Sequence, residues 1–258
     1  MFFVFNRKKM NSYFVALSTV VILFVVAFLV ENKDGNAILT SVEITKQVPI
    51  CKVDKTEKQI AITINCAENM NNISEILDTL SRNKIKVTFY ITGEVASKNT
   101  EAIQKIVNSD NEIGSLSNTY TNMKNMSLEN VRNQITTSYK TLKSLTNKEI
   151  NTFRAPYGDC DSIVIGEAQR QNLKVIGWNI DTLDYNGLNG EEMLERVEEN
   201  LSQGSIILMH NSSQYIIEGL EKIAYNLKNK GYDFKTVTEL LYKENYTINN
   251  EGIQIKNE

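Results

Sequence analysis

Short apolar runs recur along this chain, separated by longer segments whose apolar residues fall every three or four positions. Ile60–Ile64 (IAITI), Val87–Thr92 (VTFYIT), Glu112–Ser115 (EIGS), Lys174–Asp181 (KVIGWNID) and Ser205–His210 (SIILMH) read as strands. They are brief and rich in β-branched residues, as buried strands are. Phe153–Gly158 (FRAPYG) reads as a strand end and loop, and Phe234–Leu241 as a last strand with a helical turn. Asn71–Arg82, with Ile73, Ile76, Leu77 and Leu80 on one face, has helical spacing. Thr100–Ser109, Ser127–Leu145, Ser162–Gln171, Glu191–Leu201 and Tyr215–Asn229 are the other predicted helices. Strands alternating with helices imply a parallel sheet with crossover helices. Six or seven such units in about 200 residues suit a small, distorted α/β barrel better than an open sheet.

In such a barrel the chemistry sits at the C-terminal ends of the strands. That rule selects Asn65–Asn69, Ser115–Tyr120, Arg154–Gly158, Asp181–Tyr185 and His210–Ser213. Most of these are polar clusters directly following apolar runs. Net charge is −3 with 23% charged residues, so no basic field points to nucleic acid. Cys51, Cys66 and Cys160 show no CxxC spacing and read as small buried hydrophobes. An exported domain would still permit one disulfide, and Cys66 with Cys160 is the pair expected at one mouth.

Tyr13–Val30 is apolar apart from Ser and Thr and carries no charge. As a helix it would span roughly 27 Å, close to a bilayer's hydrocarbon core. Arg7, Lys8 and Lys9 precede it and Glu31 follows. The positive-inside bias then keeps residues 1–12 in the cytosol and sends the rest across the membrane. A cleaved signal peptide is the rival reading, but no small-residue cleavage site follows Ala27. The expected organisation is a 13–30 anchor, a 31–47 tether, a 48–245 domain and a loose polar tail, 246–258. The chain is thus expected to be a single-pass membrane protein with an extracytoplasmic domain.

Five motifs, in order over Ile60 to Leu241, resemble the signatures of the polysaccharide deacetylase (NodB-homology) family. Arg154-Ala-Pro-Tyr-Gly resembles its Arg-x-Pro-Tyr-Gly loop. Asp181-Thr-Leu-Asp-Tyr resembles its Asp-Ser/Thr-x-Asp-Trp segment. Ile206-Ile-Leu-Met-His is similar to its final strand and histidine, and Glu112-Ile-Gly with Met123–Ser127 to its second-motif frame. The opening Met-Phe-Phe-Val, the anchor and the short domain are similar to a spore-associated subgroup. The resemblance implies a NodB-type distorted barrel. It also implies removal of acetyl groups from N-acetylated sugars by a divalent metal such as zinc, held by one Asp and two His.

Residue by residue, the match is incomplete. Where the family's first motif reads Thr-Phe-Asp-Asp-Gly, this chain has Thr63-Ile64-Asn65-Cys66-Ala67. Asn65 thus stands at the base position and Cys66 at that of the metal-binding Asp. The two-histidine motif falls on Leu116-Ser117-Asn118-Thr119-Tyr120, without histidine at either ligand position, Leu116 or Tyr120. His210 is the chain's one histidine, and a two-histidine site cannot be built from one. No metal is therefore expected. The resemblance gives His210, Asp181 and Arg154 the positions of general acid, orienting carboxylate and base-steadying arginine. Tyr157, Tyr185 and Asp184 are candidate substrate contacts, Tyr185 the better stacking platform. Trp178 reads as core, Arg154 as paired with a buried carboxylate, and Glu68 as either a replacement base or a solvated loop residue. Two readings follow: a degenerate domain that binds peptidoglycan, another N-acetylated glycan or an envelope partner, and an altered N-deacetylase using His210 and Asp181.

Overall fold

The computed structural model describes residues 47–257; the predicted anchor and nearly all of the tether lie outside them. Among the described residues no helix is long and apolar enough to cross a membrane. The chain runs β1 (Lys52–Val53), β2 (Gln59–Cys66), α1 (Ile73–Asn83), β3 (Thr88–Ile91), α2 (Gly93–Lys98), α3 (Thr100–Val107), β4 (Glu112–Ser115), α4 (Leu128–Thr146) and β5 (Thr152–Phe153). It continues through α5 (Ser162–Arg170), β6 (Lys174–Val175), β7 (Ile180–Asp181), α6 (Gly190–Asn200), β8 (Ile206–His210), α7 (Ile216–Asn229), β9 (Asp233–Phe234) and α8 (Val237–Leu240). A hairpin of β10 (Tyr246–Ile248) and β11 (Ile253–Lys256) closes it.

The main sheet is parallel throughout, in the order β6-β5-β4-β3-β2-β8-β7, with β9 also on β2. Alternation along β2 sorts its side chains. Ile60, Ile62, Ile64 and Cys66 enter the larger apolar cluster, packed with the helices, whereas Ala61 joins a second, smaller cluster. That smaller cluster also holds Tyr90, Leu116, Ile176, Ile206 and Val237 and fills the concave side of the sheet. Each fully buried isoleucine contributes roughly 1.5–3 kcal/mol.

The expected strand Lys174–Asp181 is two strands, not one. Its first residues pair with β5 and its last with β8, at opposite edges of the sheet. One segment thus reaches both edges of a curled half-barrel, which stops short of continuous strand-to-strand closure. Between them, Ile176 N–H still bonds Phe153 O on β5 and Asn179 N–H bonds Ile206 O on β8, while Gly177 N–H turns to Ile50 O. This break in strand pairing turns the Ile176 and Gly177 carbonyls to an internal arginine, described below.

The segment after Tyr246, expected as a loose tail, is ordered: β10 pairs antiparallel with β11, which pairs parallel with β1. The hairpin is pinned by a buried polar residue. The Gln254 side chain accepts the Tyr242 N–H at 2.9 Å and donates to the Tyr242 carbonyl at 3.0 Å. With Gln254 fully buried, Gln254→Ala strands the Tyr242 N–H and leaves its carbonyl to Lys174 Nζ alone, at 3.1 Å, at a cost of about 1–3 kcal/mol. For a domain of this size each kcal/mol lowers Tm by roughly 2–4 °C, so thermal melts of this variant should fall by several degrees.

Candidate functional site

Register brings the candidate residues to one level. Asn65 on β2 lies opposite Tyr90 on β3 and His210 on β8, and Tyr90 in turn opposite Gly114 on β4. Any side chain at Gly114 would come within 2.5 Å of the Tyr90 ring. Arg154 follows β5, its N–H bound to Ser115 O at 2.8 Å. Around them a cavity of about 400 Å³ is lined by Asn65, Glu68, Tyr120, Tyr157, Trp178, Asp181, Tyr185 and His210, with Ala67, Leu208 and Ser212.

Arg154 is 0% exposed. Its guanidinium donates to Thr63 Oγ1 at 2.8 Å, Asn65 Oδ1 at 3.1 Å, Ile176 O at 3.3 Å and Gly177 O at 2.8 Å. It lies over the Tyr90 ring at 4.2 Å and 5.3 Å from the Trp178 ring. The expected carboxylate partner is not there: among the described residues no acid forms an ion pair with Arg154. Amide, hydroxyl and carbonyl oxygens with aromatic faces stand in for it. Burial lowers its pKa to about 10, so it remains a cation at neutral pH. Trp178, expected as core, is half-buried between Arg154 and the cavity.

The carboxylate that holds His210 is Asp184, not Asp181. Asp184 Oδ2 accepts the His210 main-chain N–H at 2.6 Å, and Oδ1 lies 2.9 Å from Nδ1. A carboxylate only accepts, so Nδ1 carries the hydrogen and Nε2 is left unbound by Asp184. Asp184 is therefore buried behind the imidazole and is not a cavity-lining contact. The assignments of Asp181 and Asp184 are thus exchanged. Asp181 lines the cavity, accepting the Leu183 N–H at 2.9 Å and the Tyr185 hydroxyl at 3.3 Å. The change of side is local: Leu183 adopts a left-handed backbone with φ +54°, and a 3₁₀ turn over Asp184–Asn186 swings Asp184 under the histidine. Tyr185 packs edge-on to the imidazole at 5.2 Å.

Tyr157 and Tyr185 are 57% and 54% exposed at the rim. Tyr157 stands at φ +60° with its ring 4.6 Å from that of Tyr120. The adjoining Gly158, at φ +70°, lies against Trp178, where a Cβ would approach within 2.5 Å. Glu68 lines the same cavity. Its loop is held by Asn211, which donates to Asn69 O at 2.7 Å, and by Asn72, which donates to Asn211 O at 2.6 Å. Burial raises the Tyr120 phenol's pKa.

Residues at the positions where the family keeps metal ligands do not make a donor set. Cys66 is fully buried in the helix-facing cluster, and that burial pushes its thiol's pKa well up. It therefore does not face the mouth expected to hold Cys66 and Cys160 together, and all three cysteines are free thiols. Leu116 is packed into the concave cluster. Only Tyr120 lines the cavity. Among the described residues no group of three His, Cys, Asp or Glu side chains could hold an ion.

Several site residues escape a reading of the sequence. Tyr90 could have been found by alternation, since it must face opposite Phe89. Gln134 carried no signal: it reaches from α4 to accept from Ser117 Oγ and the Thr119 N–H, both at 3.0 Å, and so shapes the second loop.

Fold and site together define an α/β half-barrel with its cavity at the strand C-termini and an Asp-supported histidine at the rim. Comparison with known proteins gives the class a name. The polysaccharide deacetylase profile matches residues 52–176. A peptidoglycan-N-acetylglucosamine deacetylase of Bacillus cereus is 28% identical over 186 residues, 70% of this chain and 68% of that protein. One from Listeria monocytogenes is 29% identical over 194 residues, 75% of this chain but 41% of the relative's length. The solved structure of a CE4 family pseudoenzyme from Bacillus anthracis matches with TM-score 0.73 and 29% identity, over 76% of this chain and 69% of that one. A mutant of that pseudoenzyme with restored enzymatic activity matches with the same TM-score and identity, covering 76% and 72%. In profile, sequence and fold the chain is similar to the polysaccharide deacetylase family.

Replacing the amide opposite Arg154 tests the electrostatics. Asn65→Asp would supply a carboxylate whose pKa the guanidinium holds below the usual range. Such a group stabilises above the ordinary Asp pKa, near 3.9, and the gain is lost as pH falls through the folded value. Melts of Asn65→Asp should exceed those of the native protein at pH 7, by about 1–3 kcal/mol. The difference should shrink as pH falls below about 3.9 and vanish only below the depressed folded-state pKa.

Proposed function

We propose that this is a membrane-tethered, extracytoplasmic polysaccharide deacetylase-like domain that binds a cell-envelope glycan such as peptidoglycan without hydrolysing it. One observation carries the reading. The position from which a base would act is the Asn65 amide, clamped by Arg154, and an amide has no useful proton affinity near neutral pH. That no three His, Cys, Asp or Glu side chains converge among the described residues supports the same reading, as does the likeness to a CE4 pseudoenzyme. The exposed Tyr157 and Tyr185 rings beside a cavity of saccharide size support glycan binding. Residues 13–30 would anchor the domain, leaving it outside the cell.

A second reading keeps an altered hydrolase, favoured by the intact His210–Asp184 pair and by Glu68 in the same cavity. Acetate release from N-acetylated glycan oligomers separates the two. On the first reading none is released with added zinc, cobalt or chelator. On the second there is release, and His210→Ala abolishes it. If the first holds, Tyr185→Ala or Tyr157→Ala should weaken oligosaccharide binding by about three- to tenfold, the worth of one aromatic contact, as titration calorimetry would read.

A further inference from the structure

The proposed cavity has a charge pattern that an acetylated sugar would not use. Asp181 is in its wall and Glu68 on its lip, with Asp184 behind the imidazole. Among the described residues neither Asp181 nor Glu68 has a cationic partner. Arg196 approaches Asp181 but donates to its main-chain carbonyl at 3.1 Å. The nearby arginine, Arg154, is sealed from solvent, with its hydrogen bonds directed to Thr63, Asn65 and the carbonyls of Ile176 and Gly177. It offsets one negative charge from below without offering itself to a ligand.

Resting on the glycan-binding reading, we infer that the cavity takes a sugar carrying a free amine, a de-N-acetylated hexosamine unit, with its ammonium set toward Asp181 and Glu68. An acidic sugar would meet three carboxylates here. A neutral acetamido group could offer them one N–H but no charge. An ammonium gains charge-assisted hydrogen bonds to carboxylate oxygens. It is also drawn to the aromatic faces of Tyr120, Tyr157, Trp178 and Tyr185, which bound the same space. Asp181 is suited to this role. Its carboxylate is oriented by the Leu183 N–H and the longer Tyr185 contact, with acceptor capacity to spare. On this account the site reads the product of deacetylation, not its substrate.

Calorimetric titration of the full-length protein with glucosamine and N-acetylglucosamine tetramers, at low and high salt, tests this. The glucosamine tetramer should bind about tenfold or more tighter, the worth of a charged hydrogen bond, and added salt should shrink that margin. Asp181→Asn should erase the preference and keep the weaker affinity for the acetylated tetramer. Should Asp181→Asn fail to fold, Glu68→Gln, on the exposed lip, should narrow the preference. Equal affinities, or tighter binding of the acetylated tetramer, would overturn the amine assignment and leave glycan binding standing. Binding of neither tetramer would overturn both.

Discussion

A guanidinium with no exposed surface organises the middle of this domain. Taking a charge out of water is costly unless its hydrogen-bonding groups are met. For Arg154 four oxygens from two parts of the chain do this: Thr63 and Asn65 on β2, and the consecutive Ile176 and Gly177 carbonyls after β6. Two of those oxygens are main-chain carbonyls, available because strand pairing breaks between β6 and β7. The break in the expected strand and the burial of the arginine are therefore one feature. Tyr90 and Trp178 cover the two remaining sides, and the absence of a side chain at Gly114 makes room for the Tyr90 ring.

That arrangement fixes what the cavity can do. Arg154 donates to Asn65, so the amide's oxygen is engaged and its orientation set. Across the same register, His210 is held by Asp184 through both its main chain and its ring. The two sides of the site are thus equally well ordered but chemically unequal. One side retains an imidazole able to transfer a proton. The other presents a group that cannot accept one. Proton transfer in both directions needs two partners within reach of the reacting atoms, and the Asn65 amide is not one of them.

Much of this was legible in the sequence. Periodicity set out the strands and helices, and the strand-end rule collected Asn65, Tyr120, Arg154, Asp181 and His210 before any contact was known. What it could not resolve was direction at a turn. Asp181 and Asp184 lie three residues apart, and which one meets the histidine depends on Leu183 entering a left-handed conformation that a leucine does not advertise. The C-terminal hairpin was hidden for a different reason. Its inward residue is the polar Gln254, whose fit depends on main-chain groups of Tyr242, distant from it in periodic pattern though near in sequence. Cys66 sits on a strand whose alternation was readable, but the loop position assigned to it from the motif overrode that alternation.

Of the three positions where the family resemblance would place metal ligands, two, Leu116 and Cys66, are taken up by packing, and Tyr120 lines the cavity. Leu116 lies wholly within the concave cluster beside Tyr90 and Ile176, and Cys66 within the helix-facing one. A buried leucine fills volume and excludes water, and an imidazole in its place would have to find a partner for each ring nitrogen. A buried cysteine among isoleucines behaves as a small hydrophobe. Reinstating ligands here would mean trading packed apolar contacts for polar groups, with the concave core resettled around them. The same apolar filling keeps Arg154 dry, because Leu116 and Tyr90 share one cluster. The packing around Leu116 and the sealed arginine therefore depend on each other.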